Sequence, residues 1–432
     1  MANYHRGPEV IEVKLGTSTV RDVKAATTYL VGAAPVHLVH STPEARANYI
    51  EKDIIIRTKE DAVAAFGEFD AGGGAYSINT TLHAMFNKDR GKGIGTIIVR
   101  NVFNPATHLV SGQPNPTALT ATDIIGELGA SGQPKGLEGA YYTYSQFGYF
   151  PRRIIAPGFS TLLGVRQKML AVANRVKGHA ITDLPPGLTK QQIVAKRGVG
   201  QDYAAGDDRL VYCAPHVFAL DAVTGGQSLQ PLSAHFAGVW NEVVNREEND
   251  DDGGPSASPS NRAMADVSNP EIPLLFAPGD YSSDTNFLNE AGIVTVNNGV
   301  FGTGTVTWGN EASSQGTAAA GYHRKLHVRA MYDVLHEAIQ FYLMQHVDRR
   351  GTPQRIDYIE ETIQRYINLK ERDGWLYGGV FRFNRAKNTP EEILEGRFWY
   401  RLDGAPIGVM ERLSVESYID LGLVRAALGL AN

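Results

Sequence analysis

Residues 292–309, GIVTVNNGVFGTGTVTWG, thread glycines through β-branched residues, a composition that invites a phosphate-binding reading. A phosphate loop needs a lysine and a Ser/Thr directly after its glycines, and then a helix whose N-terminus faces the anion. Here Gly302 and Gly304 lead into Thr305, Val306, Thr307 and Trp308, which is strand vocabulary. The second cluster, RGKGIGTIIV, places its glycines ahead of a strand, whereas a dinucleotide fingerprint follows one. Both clusters read as architecture.

Metal chemistry fails on spacing. HEAIQ starts like a zinc-protease helix at His336, but Gln340 stands where the second imidazole is required. His323 and His327 are four apart with Arg324 and Lys325 between them and no carboxylate ligand close behind, and His37 and His40 in HLVH are isolated. The run Asp250–Asp252 lacks the ligand spacing of a calcium loop. Among nucleophiles, Ser160 in PGFST has no G-x-S-x-G elbow around it, and Cys213 in VYCAP sits in a strand pattern where a buried, inert thiol is expected. No residue is assigned to catalysis, to a cofactor or to a metal. A chain of this length without a recognisable site is expected to work through its surfaces.

Composition agrees. The 432 residues are 43% hydrophobic and 20% charged with a formal charge of −5, ordinary for a folded protein and not the basic excess of a nucleic-acid binder. A single cysteine excludes an internal disulfide framework. MANYHRGPEV has no signal-peptide core, and no apolar run reaches transmembrane length. The expectation is a soluble protein made in a cytoplasm, with no membrane insertion.

The start is extended. EVIEVKL alternates, with Ile11, Val13 and Leu15 on one face, and such an isolated strand must borrow a sheet. From residue 27 the pattern alternates strand and helix. TTYLVGAAP, DIIIRT and GTIIVRNV read as strands, KEDAVAAFG as a helix stopped by Gly67, and YSINTTLHAMFNKDRG as a helix ending at Gly91. Residues 103 to about 147 change texture and suggest a surface insertion. RRIIAPGFS, GHAITDLP and DRLVYCAP resume the strands, with a helix in TLLGVRQKMLAVANRVKG. This alternation predicts a mainly parallel, doubly wound α/β sheet. REENDDDGGPSASPSN, residues 246–261, reads as an exposed loop.

The last hundred residues form an α+β unit. One helix carries the stripe Met331, Val334, Leu335, Ala338 and Tyr342, and a second carries Ile356, Ile359, Ile363 and Ile367. VFRFNR, RFWYRL and VMERLSVESYID follow as strand-like segments, with a small apolar tail behind them.

At this point the chain resembles a known family, the sheath proteins of contractile phage tails. The resemblance runs through PEVIEVKLG, TTYLVGAAP, FPRRIIAPGFS, PSASPSN, FLNEAGIVTVNNG, VTWGNEASS, HRKLHVRAMYDVLHEAI and NTPEEILEGRFWYRLDGAPIGVMERLSVE. Its most specific part is LN-x-x-GI, leading through the glycine-rich strand to WG and then a VR helix, with Arg329 as the helix arginine. Glu311 and Ala312 depart from the Arg-Thr that often follows WG.

The resemblance implies a subtilisin-like α/β middle domain without a catalytic triad, an α+β C-terminal domain lying against an inner tube, and extended terminal arms. On this sequence the arm would be residues 1–24. The middle domain would be 25–322 with an insertion at about 103–150, and the inner domain 323–432. Arms would add strands to neighbouring subunits through Ile11, Val13 and Leu15 at one end and Leu413, Val415 and Ile419 at the other. Implied partners are further copies in stacked six-fold rings, a tail tube protein, and baseplate and tail terminator proteins, in a virion tail assembled in the host cytoplasm.

Residues 321–432 hold 16 Lys/Arg against 15 Asp/Glu, while the other 320 hold 25 against 31. The slight basic surplus makes Arg349, Arg350, Arg355, Lys370 and Arg372 the tube-facing candidates. Readings from other classes are an α/β hydrolase with an unrecognised site, which an ester and peptide activity screen would expose, and another tail or baseplate component.

Overall fold

The computed structural model describes residues 19–86, 94–246, 253–264, 266–299, 304–317 and 321–429. Ile11, Val13 and Leu15 and the expected helix end at Gly91 lie outside the described residues.

An eight-stranded sheet organises the chain. In order of sequence it uses β1 (Thr27–Gly32), β2 (Asp53–Ile56), β3 (Thr96–Asn101), β4 (Arg153–Ile155), β5 (His179–Asp183), β6 (Leu210–Cys213), β7 (Ile293–Asn298) and β8 (Thr305–Trp308). The spatial order is β8-β7-β6-β5-β4-β1-β3-β2. The six inner strands run parallel, and β2 and β8 close the two edges antiparallel.

Period-2 alternation explains why these strands read as continuous apolar runs, since both faces are covered. Leu30, Ile97, Val99, Ile155, Ile181 and Val211 point into one core, where they meet Leu82, Phe236 and Trp240. Tyr29, Ile98, Ile154, Ala180 and Tyr212 point into the other, against Val165, Met169 and Val172. The first face is covered by α1 (Lys59–Phe66), α2 (Ser77–Phe86) and Leu232–Asn245, the second by Leu163–Val176. Helix α1 shows how local chemistry sets the ends. Thr58 and Asp61 form a capping box, and Gly67 takes φ +80, a left-handed conformation that stops the helix.

Two expectations change. The segment 103–150, read as a surface insertion, carries exposed Leu109 and Val110 yet buries Phe103, Ile124, Leu137 and Ala140 in the second core, so its inner half is part of the fold. Residues 246–261, read as an exposed loop, are largely buried from Gly253 to Pro259. Small side chains let this stretch approach the outer edge of β8. Asn261 N donates to Thr307 O at 2.7 Å, Thr307 Oγ1 donates to Pro259 O at 2.7 Å, and Gly309 N donates to Ser260 Oγ at 2.9 Å. It shields an edge strand that would otherwise template pairing. Gly309 itself sits at φ +126, and a Cβ there would stand 2.7 Å from Asn289 Oδ1. That geometry explains the glycine after Trp308.

A third core belongs to α3 (Leu326–Met344), α4 (Pro353–Arg372) and the hairpin of β9 (Leu376–Phe383) and β10 (Tyr400–Pro406). Both predicted stripes are there. Met331, Val334, Leu335, Ala338 and Tyr342 are buried, as are Ile359, Ile363 and Ile367. Helix α3 lies across the N-terminal ends of β4 and β6, held by buried ion pairs. Arg209 grips Asp333 bidentately at 2.6 and 2.6 Å, and Arg152 pairs with Glu337.

Candidate assembly interface

In an open α/β sheet, ligands bind beyond the carboxyl ends of the strands, where the winding direction reverses. In this sheet that point lies between β1 and β4, where a cavity of about 330 Å³ is lined by Ser77, Pro157 and Gly158. Ser77 Oγ accepts from Ala33 N, and Asn101 Oδ1 accepts from Ala34 N. Nearby, Asp183 accepts from Ser233 N at 2.8 Å and from the hydroxyls of Ser233 and Ser160, at 2.5 and 3.2 Å. Burial raises the Asp183 carboxyl, with His216 and these donors opposing it. Ser160 is fully buried and is a donor to a carboxylate, with no imidazole on its oxygen to activate it. Cys213 is buried as expected, and burial pushes its thiol up. Among the described residues no group of three or more His, Cys, Asp or Glu is placed to hold a metal, and no helix is long and apolar enough to cross a membrane.

The described N-terminal segment from residue 19 and the C-terminal segment after β10 both meet the third core. On the N-terminal side, Val20 and Val23 pack against that core, and Asp22 accepts from Tyr366 Oη at 2.6 Å and Lys370 Nζ at 3.1 Å. Lys370 is therefore 0% exposed, with its ammonium 4.3 Å from the Trp375 ring centroid. It is removed from the tube-facing set. It falls on the α4 stripe with Ile363 and Ile367, and the partner that makes its burial tolerable is far away in sequence. The remaining candidates form two sites. Arg349 and Arg350 are exposed and Arg355 half-buried at the α3–α4 turn. Arg372, its side chain 77% exposed, lies at the far end of α4, about 25 Å along the helix at 1.5 Å per residue.

The C-terminal segment leaves β10 along a groove of about 720 Å³ bordered by Asn261, Trp308 and residues 407–411. Its root is tied down. Ile407 N donates to Trp375 O, Asn310 Nδ2 to Glu411 Oε1 at 3.1 Å, and Arg412 Nη2 to Tyr281 Oη at 2.7 Å, and Lys325 pairs with Glu411. His327 beneath this root is held down to about 4 by burial, with Glu411 opposing. Beyond Arg412 the ties thin out. Leu413, Val415 and Ile419 are 78%, 91% and 91% exposed. The strand expected across VMERLSVESYID does not form, and a short helix, Leu421–Ala427, follows without buried residues. The alternation is present but the edge to pair with is missing.

The β9–β10 hairpin offers such an edge. Along the outer side of β9 runs a groove between the strand and α4, in neighbouring parts of about 690 and 510 Å³. Side chains of α4 occupy its backbone groups. Phe381 N donates to Gln364 Oε1 at 2.7 Å, Phe383 N to Glu360 Oε2 at 2.8 Å, and Gly379 O accepts from Gln364 Nε2 at 2.9 Å. These contacts satisfy an edge in the absence of another strand.

No family model matches the chain. A tail sheath protein of Burkholderia phage BcepMu is 29% identical over 97% of this chain and 97% of its own length. A putative prophage major tail sheath protein of Pseudomonas aeruginosa (strain UCBPP-PA14) is 24% identical over 93% and 92%. Along nearly its whole length the chain resembles contractile tail sheath proteins. By this similarity it is a structural protein and not an enzyme. Its fold matches that of the anti-feeding prophage helical sheath in the contracted state, with a TM-score of 0.67 at 16% identity over 96% of this chain and 99% of that one.

Sequence reasoning placed Cys213 as a buried thiol in a strand. It missed Asp22 and the α4 side chains Glu360 and Gln364, because a polar residue on an amphipathic helix carries no mark of the strand edge it will meet.

Proposed function

We propose that this sheath subunit polymerises as stacked six-fold rings around an inner tail tube, linked by terminal arms that add strands to neighbouring subunits, and that rearrangement of these links contracts the sheath and drives the tube through a target-cell envelope. The observation that carries the reading is the exposed apolar segment from Leu413 onward, together with a β9 edge held by side chains rather than by a strand. An incoming strand replaces Gln364 and Glu360 with main-chain partners, which is strand addition. Burying Leu413, Val415 and Ile419 would contribute about 1.5–3 kcal/mol apiece as an upper figure.

In this reading the arm comprises residues 1–24, the middle domain 25–322 a subtilisin-like scaffold without its triad, and the inner domain 323–432. Ile11, Val13 and Leu15 serve the other end of the exchange. Arg349, Arg350 and Arg355 face an acidic tube, and Arg372 forms a separate contact. Baseplate and tail terminator proteins bound the polymer, which assembles in the host cytoplasm and works in a phage or phage-like tail. No fuel is consumed, because the extended state is held kinetically and the two packings of the rings differ in energy.

Deleting residues 1–18 tests the exchange. The truncated chain is expected to fold with an unchanged melting temperature and to stay unpolymerised. A truncated chain that unfolds would place that strand in its own domain.

A further inference from the structure

The ends of β4, β5 and β6 that face α3 are crowded with cations. Arg152 and Arg153 stand at the start of β4, Lys177 and His179 at the start of β5, Arg209 before β6, and Arg329 approaches from α3. Two carboxylates answer them. Asp333 is engaged bidentately by Arg209, with Arg329 at 3.7 Å, and Glu337 is engaged by Arg152.

Arg153 is left over. It is 1% exposed, one amino group donates to Ala25 O at 2.6 Å, and its guanidinium stacks 4.8 Å from the Trp240 ring centroid. Among the described residues it meets no carboxylate. Its Nε and the Nε2 of His179 are buried without a hydrogen-bond partner. Both residues line a small void with a free core of about 10 Å³, bordered also by Arg152, Lys177 and Asp333 and on its apolar side by Val244 and Val334, which is room for one water-sized particle.

The polar half of this lining sets four nitrogen-bearing side chains, Arg152, Arg153, Lys177 and His179, against the single carboxylate of Asp333. A water placed there could accept from these donors but would leave the Arg153 charge unmet, because Asp333 is already engaged by Arg209. An isolated buried cation is costly unless its charge is met, and the cation–π contact with Trp240 offsets that cost without cancelling the charge. We propose that the void holds a single monatomic anion, a halide such as chloride, bound by Arg153 with Lys177 and His179 around it. The size excludes phosphate, sulfate and carboxylates. The ion completes the junction between the sheet and α3, so the two units of the subunit lock together more firmly when it is bound. Burial, reinforced by the neighbouring Arg152, lowers Arg153 to about 9.

The direct test is the full chain crystallised with sodium bromide in place of chloride. An anomalous bromine peak beside Arg153 Nε is the expected result. In parallel, melting is followed while sodium chloride replaces sodium gluconate at constant ionic strength. A saturable rise on the order of a few degrees is expected. Arg153→Met should abolish the rise, and in gluconate this variant should melt no lower than the native chain, since its buried charge is gone. A void filled by water without anomalous signal, or identical melting in the two salts, overturns the proposal even if the variant fails to fold.

Discussion

Lys370 and Asp22, 348 positions apart, meet at 3.1 Å beside Trp375. This pair fixes where the N-terminal segment crosses the C-terminal unit, before the chain turns into β1, an inner strand of the sheet. It therefore sets the point from which an arm can reach out.

Removing Asp22 should leave the buried ammonium with Asp373 as its carboxylate partner, 3.4 Å away. Asp22→Ala is expected to destabilise the subunit by about 1–3 kcal/mol, read by urea unfolding. Lys370→Met should cost less than Lys370→Ala, because it keeps the aliphatic stem on Trp375.

Acid should loosen the C-terminal root. The His327 imidazole is lowered from 6.5 to about 4 in the folded chain, chiefly by burial. The unfolded chain therefore binds more protons between those values. The stability that neutral His327 contributes is present above about 6.5 and is lost as pH falls towards 4, at a limiting slope of about 1.4 kcal/mol per pH unit. His179, fully buried and lowered further by desolvation and its arginine neighbours, acts in the same direction. Urea midpoints at pH 7, 6 and 5 should fall for the native chain and fall less for His327→Gln.

Assembly should protect the β9 edge. Amides of Phe381 and Phe383 now rest on side chains of α4. In the polymer they should exchange with solvent at least about tenfold more slowly than in the free subunit, measured by hydrogen exchange on peptides spanning 376–383. Equal rates in both states would exclude this edge as the acceptor.

The proposed tube contact rests on Arg349, Arg350 and Arg355. Reversing all three charges should abolish tube-templated assembly and leave self-assembled, contracted-type sheaths intact, because exposed charge contacts align a first ring without building the core. Normal extended tails from the triple variant, seen by electron microscopy, would rule this surface out.

What the sequence made legible follows physical lines. Leu30, Ile98 and Ile154 announced strands because a parallel strand buried on both faces is apolar throughout, and Met331 to Tyr342 announced a helix by its stripe. The empty catalytic inventory was legible because chemistry needs fixed spacings. Burial of Pro255–Pro259 was not, since small polar residues look the same in a solvated loop and in one bonded to an edge strand. Lys370 read as a surface cation because Asp22 is distant in sequence. Leu413 to Ile419 carry a strand's alternation with no strand to join.

Negative-stain electron microscopy of the purified full chain, beside a chain ending at Arg412, tests strand exchange most directly. The full chain should form hollow tubes or rings at high concentration, and the shortened chain should stay monomeric with its melting temperature preserved. Tubes from the shortened chain, or monomers from the full one, would contradict assembly through these arms.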